Sequence, residues 1–299
     1  MERSELLHRI NTFPLVAATL ADDLLSGDFR SVFRGNGIEF EEVRRYEQGD
    51  DIRFIDRNVS ARFGTPYVKL YRQEREMTVF VVLDCSASMF SSRKSKTSRF
   101  EQALLALALV GFSAERARQR FGALFFDNET RRLFRPGKGR PHLMAVISGA
   151  LGALPHAHGS ALSAAIRAAG ILLKRRSLVV LVSDFRCPGW DDELRAIAGK
   201  HDFIAVRITD PFDHDFPNPG LFTVEDPESG KTIQAPGGFS SFRAAWREWN
   251  DRQAASWAAS CRRLGIARLE LSTEDDAPSA LKSFFQGRRR PVSHNEPGS

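Results

Sequence analysis

The hydrophobic pattern of the chain is dominated by two apolar runs, each of which ends in an aspartate. Residues 79–83 lead into Asp84, and residues 177–183 lead into Asp184. An apolar run bounded by polar turn residues is typical of a strand that is buried on both faces, as in a parallel sheet. The pattern therefore predicts two central strands, each followed by a carboxylate.

Segments with helical spacing alternate with further short strands along the rest of the chain. Additional strands are predicted at residues 121–126, 131–134, 203–208 and 266–271. Helices are predicted after the capping box Ser98-x-x-Glu101 and at residues 141–154, 161–174, 193–198, 240–264 and 277–286. This alternation indicates an α/β fold with a doubly wound, mostly parallel sheet. The three tryptophans of the helix at 240–264 are expected in the core.

The remaining segments define the predicted domain organisation. Residues 1–29 have a helical pattern, and residues 30–76 combine turn signals with short strand patterns that predict a small β-rich addition. The large domain is predicted at residues 77–286, with an irregular loop at 210–219 and a hairpin near 221–235. Residues 287–299 are polar and predict a disordered tail.

A polar motif directly follows the first apolar run. Asp84, Ser86 and Ser88 offer three oxygen side chains at the carboxyl end of the predicted strand, where α/β sheets bind ligands. Oxygen ligands suit a hard cation such as Mg²⁺, which takes about six of them. Asp and Ser are also common turn and N-cap residues, so an ordinary strand-to-helix loop is an equal alternative from these residues alone.

Composition narrows the range of function classes. Of the 299 residues, 42% are hydrophobic and 27% charged, which is ordinary for a globular protein. The net charge of +6 is mild and has no aromatic-interleaved basic motif beside it, so nucleic-acid binding is not predicted. The three cysteines form no CxxC pair, which fits a reducing compartment. No apolar stretch approaches the ~20 residues of a membrane span, and we expect a cytoplasmic protein without membrane insertion.

The segment that precedes the first strand identifies a family resemblance. It contains Gly-Ile-Glu-Phe at 37–40, then Arg-x-Tyr-x-x-Gly-Asp-Asp-x-Arg-x-Ile-Asp at 44–56, then Ser-Ala-Arg at 60–62. With the Asp-x-Ser-x-Ser motif, this order closely resembles the bacterial domain-of-unknown-function fifty-eight family, relatives of von Willebrand factor type A domains. The resemblance covers about residues 30–287. The family usually has Trp after Ile-Asp, where this chain has Arg57.

The resemblance implies a metal-ion-dependent adhesion site built from three loops. The implied metal ligands are Asp84, Ser86, Ser88, Ser160 and Asp184. Ser160 replaces the usual Thr of the second loop and keeps the hydroxyl. At the next position, where the family often has Asp, this chain has Ala161. The serines would bind directly and the two aspartates partly through water, which leaves one position for a partner's Glu or Asp. The implied metal is Mg²⁺, with Mn²⁺ or Ca²⁺ as alternatives.

Family members are typically found beside MoxR-type AAA+ ATPases. The resemblance therefore implies a non-enzymatic interaction module, an adaptor or assembly and maturation factor that works with such an ATPase on a client protein. No P-loop occurs in this chain, so any ATPase would be a separate protein.

Two alternatives remain at this point. One is a Mg²⁺-dependent phosphohydrolase with Asp84 as nucleophile, although Ser86 stands where one such class needs a second acid and no Gly-x-Ser-x-Gly elbow is present. The other is a zinc site at His156 and His158, which flank the second loop.

Overall fold

The computed structural model describes residues 38–73, 76–90, 97–154, 159–216, 220–225 and 232–287, together with Leu6, Ile10, Thr12 and Phe13. The chain divides into two compact units, a smaller one at Asp28–Glu76 and a larger one formed by Met1–Gly27 and Met77–Ser299. The four isolated residues are helical, and Leu6, Ile10 and Phe13 are buried, as the helical spacing predicts. The tail was predicted at 287–299; Gly287 instead ends the last described helix, and residues 288–299 lie outside the described residues, as do the histidines at 156 and 158.

Within its described residues, the smaller unit contains two strands, a 3₁₀ helix at Ile52–Phe54 and a short α-helix. Strand β1 (Ile38–Arg45) pairs antiparallel with β2 (Tyr67–Gln73). Between them lies helix α1 (Arg57–Phe63), which begins because the Asp56 side chain accepts hydrogen bonds from the backbone of Asn58 and Val59. The predicted strand patterns are present, whereas this helix was not predicted from the sequence. Arg57 is exposed in its first turn.

The larger unit is built on a six-stranded sheet within the described residues. Its strands are β3 (Thr78–Asp84), β4 (Arg120–Phe126), β5 (Thr130–Gly137), β6 (Leu178–Ser183), β7 (Asp202–Thr209) and β10 (Ala267–Ser272). They lie in the order β10-β7-β6-β3-β4-β5, and only the edge strand β5 is antiparallel to its neighbour. This confirms the predicted α/β fold with a mostly parallel sheet, in which the two apolar runs form the adjacent central strands β3 and β6.

Helices lie between these strands and after the last of them. They are α2 (Ala87–Phe90), α3 (Arg99–Arg116), α4 (Arg140–Leu151), α5 (Leu162–Leu172), α6 (Trp190–Ile197), α7 (Pro211–His214), α8 (Ser240–Arg263) and α9 (Ala277–Gly287). The predicted capping box is confirmed, because the Ser98 side chain accepts from the Glu101 backbone while the Glu101 carboxylate accepts from the Ser98 backbone. Before α8 lies the antiparallel hairpin of β8 (Leu221–Glu225) and β9 (Thr232–Pro236).

Two predictions, one about the segment after β7 and one about the tryptophans of α8, are wrong. The segment after β7 was predicted as an irregular loop, but Asp210 caps the short helix α7, whose first residue is Pro211. The tryptophans of α8 do not all belong to the core. Trp257 is buried against β6 and β7, whereas 41% of Trp249 is exposed.

The core lies on both faces of the central strands. Every residue from Val79 to Asp84 and from Leu178 to Ser183 is buried, so polar side chains at the strand ends are also enclosed. Among the helices that the structure describes, none is both long and apolar enough to cross a membrane.

Candidate metal centre

The first loop of the predicted site begins at the carboxyl end of β3. Asp84 is fully buried, and its Oδ1 accepts a 2.8 Å hydrogen bond from the backbone nitrogen of Ser86. The hydroxyl oxygens of Ser86 and Ser88 lie 3.1 Å apart, and both residues are buried. The structure therefore brings the three predicted oxygen groups of this loop together.

The third loop begins at the end of the adjacent strand β6. Ser183 Oγ donates a 2.6 Å hydrogen bond to Asp84 Oδ2 and accepts one of 3.0 Å from the backbone nitrogen of Phe185. Asp184 is 4% exposed, and its Oδ1 accepts from the backbone nitrogen of Arg186 at 3.2 Å. Because β3 and β6 are parallel neighbours, the first and third loops meet at one edge of the sheet.

The backbone of the third loop is strained next to its carboxylate. Phe185 has φ of 55°, in the left-handed region that residues with a Cβ atom rarely adopt. Its ring is buried and contacts the rings of Trp190 and Trp257 at centroid distances of 5.2 and 5.8 Å. This packing stabilises the backbone conformation directly after Asp184, and strain of this kind is common at functional sites.

The second loop contains Ser160 and is held by the end of β4. The backbone nitrogen of Ala161 donates a 2.6 Å hydrogen bond to the carbonyl oxygen of Asp127. The Asp127 carboxylate accepts from Nε of Arg131 at 2.6 and 2.7 Å. The carbonyl oxygen of Phe126, the last residue of β4, accepts a 2.7 Å hydrogen bond from the backbone nitrogen of Cys85. The second loop is therefore connected to the first through β4. Ala161 provides no side-chain cap for α5.

Two carboxylates are enclosed at this edge of the sheet. Burial, followed by the nearby Asp184 carboxylate, raises the pKa of Asp84 to about 7, although hydrogen bonds from Ser183 and Ser86 oppose the shift. Burial and the Asp84 carboxylate also raise the pKa of the Cys85 thiol well above its usual value, so the thiol stays protonated. Buried negative charge is unfavourable unless a cation or hydrogen bonds compensate for it.

Two oxygens of the predicted ligand set have no hydrogen-bond partner, and only one of them lies near a positive charge, that of Arg186 at 3.9 Å from Asp184 Oδ2. Among the described residues, Ser160 Oγ and Asp184 Oδ2 are buried and have no hydrogen-bond partner. Buried polar atoms are nearly always satisfied by protein, water or an ion. A hard cation with retained water ligands fits this all-oxygen set of carboxylates and hydroxyls.

Carboxylates alone do not complete a metal site in the part of the chain that the structure describes. The described residues contain no group of three or more His, Cys, Asp or Glu side chains placed to hold a metal. A metal here would therefore depend on serine hydroxyls and water in addition to the two aspartates.

Three supporting residues were not predicted from the sequence. Ser183 fixes Asp84, Arg131 holds the residue that anchors the second loop, and Arg186 has its Nε 3.9 Å from Asp184 Oδ2. The one available signal was Ser183, because a serine at the last position of an otherwise apolar buried strand requires a polar partner. The two arginines gave no such signal.

The fold and this site define an α/β protein with an Asp- and Ser-rich centre at the strand ends. Residues 42–256 match the model of the family described as protein of unknown function DUF58. An uncharacterized protein of Mycobacterium tuberculosis is 31% identical over 288 residues, which cover 94% of this chain and 89% of the relative. A Mycobacterium bovis protein gives the same values. The chain therefore belongs to the DUF58 family, which confirms the resemblance seen in the sequence.

Solved structures with a similar backbone fold include von Willebrand factor type A proteins. The conserved hypothetical protein BatB from Bacteroides thetaiotaomicron has a TM-score of 0.47 and 14% identity, covering 71% of this chain and 98% of BatB. A von Willebrand factor type A protein from Catenulispora acidiphila has a TM-score of 0.41 and 13% identity, covering 75% of this chain and 44% of that one. The fold assignment rests on the strand order itself.

Proposed function

We propose that this protein is a non-enzymatic interaction module whose metal-ion-dependent adhesion site binds a carboxylate of a partner protein. The observation that supports this most directly is that two buried oxygens, Ser160 Oγ and Asp184 Oδ2, have no hydrogen-bond partner among the described residues. Both belong to the ligand set that the family resemblance implies.

The roles of the residues follow from their present contacts. The hydroxyls of Ser86, Ser88 and Ser160 would be the direct ligands. Both oxygens of Asp84 already accept hydrogen bonds, so this residue would contribute its charge and hold a water ligand. Asp184 has one oxygen without a hydrogen bond and would act in the same way. When bound, Mg²⁺, or Mn²⁺ or Ca²⁺ in its place, supplies an electrophilic position that accepts a Glu or Asp side chain.

The proposed partners come from the family resemblance. We propose a MoxR-type AAA+ ATPase and a client protein, which makes this chain an adaptor or assembly and maturation factor. An acidic side chain on either partner would complete the metal coordination, so the complex would form only when the metal is present.

The arrangement of Asp84 favours binding over nucleophilic catalysis. The side chain is fully buried, and its two oxygens are engaged by Ser183 and the Ser86 backbone. A nucleophile has to approach its substrate directly. Turnover of a generic phosphoester that disappears in Asp84→Asn would support the phosphohydrolase alternative instead.

The first experiment is a titration of the purified protein with Mg²⁺ and with Mn²⁺. Calorimetry measures the binding, and thermal melting measures the change in stability. We expect binding in the wild type, with about 2.7 kcal/mol of stabilisation at 100 times the dissociation constant. Binding should be lost or strongly weakened in Ser160→Ala, Asp184→Asn and the double variant Ser86→Ala/Ser88→Ala. Ser177→Ala is the control, because this buried serine lies before β6, at the opposite edge of the sheet.

A second experiment tests the partner. The purified MoxR-type ATPase should co-elute with the wild type in Mg²⁺, but not after chelation of the metal and not with Asp184→Asn. Wild-type protein that binds neither metal, with or without added acetate as a carboxylate, would contradict the proposal.

A further inference from the structure

A single buried carboxylate lies between two arginines near the candidate metal centre. Asp213, on α7, is 3% exposed. Its Oδ1 accepts hydrogen bonds from Nη2 of Arg99 and from Nη2 of Arg186, both at 2.5 Å. Its Oδ2 accepts a 3.0 Å hydrogen bond from the backbone of Asp210, which fixes the carboxylate relative to the end of β7.

Each arginine also contacts a different loop of the centre. Nη1 of Arg99 donates to the carbonyl oxygen of Ser88 at 3.4 Å, in the first loop. Arg186 lies two residues after Asp184 in the third loop, and its Nε is 3.9 Å from Asp184 Oδ2. Asp213 therefore connects two loops that belong to different strands, although it contacts no predicted ligand itself.

The position of Arg186 creates an electrostatic difficulty for a cation. Its guanidinium is near the one oxygen of Asp184 that has no hydrogen bond, so its charge opposes a metal ion at the same carboxylate. This opposition is strong where water is scarce. A negative charge on the far side of the guanidinium offsets it.

Asp213 supplies that charge. Burial alone would raise the pKa of Asp213, but Arg186 and Arg99 outweigh burial, and the pKa lies below its usual value. The carboxylate is therefore ionised at neutral pH. The amide oxygen of Asn250, 3.2 Å from Nη2 of Arg186, is a second but uncharged partner.

We infer that Asp213 is a positioning residue of the metal centre, which neutralises Arg186 and holds the first and third loops through its two arginines. This inference rests on the proposed metal binding. It assigns to α7 a role in metal affinity that the ligand motif does not include, since Asp213 lies 125 residues after Ser88 in the sequence.

Three variants test this inference by Mn²⁺ calorimetry on the full chain, with folding checked by thermal melting. Asp213→Asn should lower Mn²⁺ affinity by about 10- to 100-fold, as loss of an outer partner typically does. Arg186→Gln should bind Mn²⁺ more tightly than the wild type, because the opposing charge is gone. In Arg186→Gln/Asp213→Asn most of the affinity lost in Asp213→Asn should return.

The matched control is Asp202→Asn. Asp202 also pairs with an arginine, Arg176 at 2.7 Å, but at the start of β7 and so at the opposite edge of the sheet. This control should bind Mn²⁺ like the wild type. A purely structural role of Asp213 would lower the melting temperature without the recovery of affinity in the double variant.

The outcomes separate this inference from the proposed function. Unchanged affinity in Asp213→Asn, or weaker binding in Arg186→Gln, overturns the inference while metal binding stands. If Asp213→Asn does not fold, Arg186→Gln and Arg186→Gln/Asp213→Asn decide together, because the loss of Asp213 should change Mn²⁺ affinity little once the charge of Arg186 is gone. A wild type without metal binding overturns the proposed function and this inference with it.

Discussion

Ser183 Oγ donates a 2.6 Å hydrogen bond to Asp84 Oδ2, although the two residues are 99 positions apart. They meet because β3 and β6 are parallel neighbours with Leu83 opposite Val182, so each strand ends at the same level. The other oxygen of Asp84 accepts from the Ser86 backbone at 2.8 Å. The central carboxylate of the candidate centre is thus oriented by both of its adjoining loops.

Ser183→Ala should destabilise the protein and weaken metal binding. The variant leaves one oxygen of a fully buried carboxylate without its partner, which costs about 1–3 kcal/mol of the free energy of unfolding. The loss of an orienting contact should also lower Mn²⁺ affinity by about 10-fold or more. Urea unfolding and calorimetry measure the two effects.

The control for this prediction is Ser177→Ala, located just before the same strand. Ser177 Oγ donates to the carbonyl oxygen of Arg175 at 2.8 Å, so this variant also loses a hydrogen bond of a buried residue. It should lose stability but keep its metal affinity. Equal Mn²⁺ affinity in the two variants would refute an orienting role for Ser183.

Asp84→Asn should make the metal-free protein more stable. The raised pKa of Asp84, caused by burial and by Asp184, means that the charged carboxylate is unfavourable in the folded state above about pH 7. A neutral amide removes this cost, and we expect a gain of about 1 kcal/mol in the free energy of unfolding at about pH 8 in a chelating buffer. Added Mg²⁺ should stabilise the wild type but not the variant.

Asp202→Asn is the control for this substitution. It also replaces a carboxylate by an amide, but it loses the ion pair with Arg176 and should not increase the free energy of unfolding. A metal-free Asp84→Asn that is less stable than the wild type would show that the hydrogen bonds to the carboxylate outweigh its burial.

The sequence predicts the centre of the fold well because burial on both faces leaves an unmistakable pattern. The two apolar runs form the central strands that their pattern predicts, and the aspartates that follow them lie at the same end of the sheet because these strands are parallel neighbours. The contacts of Asp213 could not be predicted in this way, since its bond to Arg99 joins residues 114 positions apart and depends on the folded arrangement. The helix α7 was missed because Asp210 and Pro211, which begin it, are equally typical of a loop.

Gly122→Ala should destabilise the sheet edge between β4 and β5. An added Cβ atom would lie 2.8 Å from the carbonyl oxygen of Phe134 and 3.0 Å from the backbone nitrogen of Pro136. Both are backbone atoms of the paired strand, so they cannot move aside without breaking the ladder. We expect a loss of about 1–3 kcal/mol in the free energy of unfolding, measured with denaturant.

Gly199→Ala is the matched control, because nothing lies within 4 Å of its added Cβ atom. Its free energy of unfolding should stay within about 0.5 kcal/mol of the wild type. Similar stability of the two variants would mean that β4 and β5 separate easily at this point.

His201 should make stability decrease in mild acid. The residue is 3% exposed, and within the described part of the chain neither ring nitrogen has a hydrogen-bond partner. Burial, and then the nearby charge of Lys200, lower the pKa of His201 below its value of 6.5 in the unfolded chain. The unfolded state therefore binds more protons below that pH, so the free energy of unfolding falls as the pH decreases from about 6.5 towards the folded-state pKa.

His201→Leu should flatten this decrease, because it removes the titrating group while keeping an apolar side chain beside Phe203, whose ring centroid is 6.2 Å from that of His201. Phe203→Leu is the control, since it alters the same packing but leaves the imidazole in place and should retain the acid sensitivity. Urea unfolding at several pH values between about 5 and 7 measures both slopes. An unchanged slope in His201→Leu would assign the acid sensitivity to other groups.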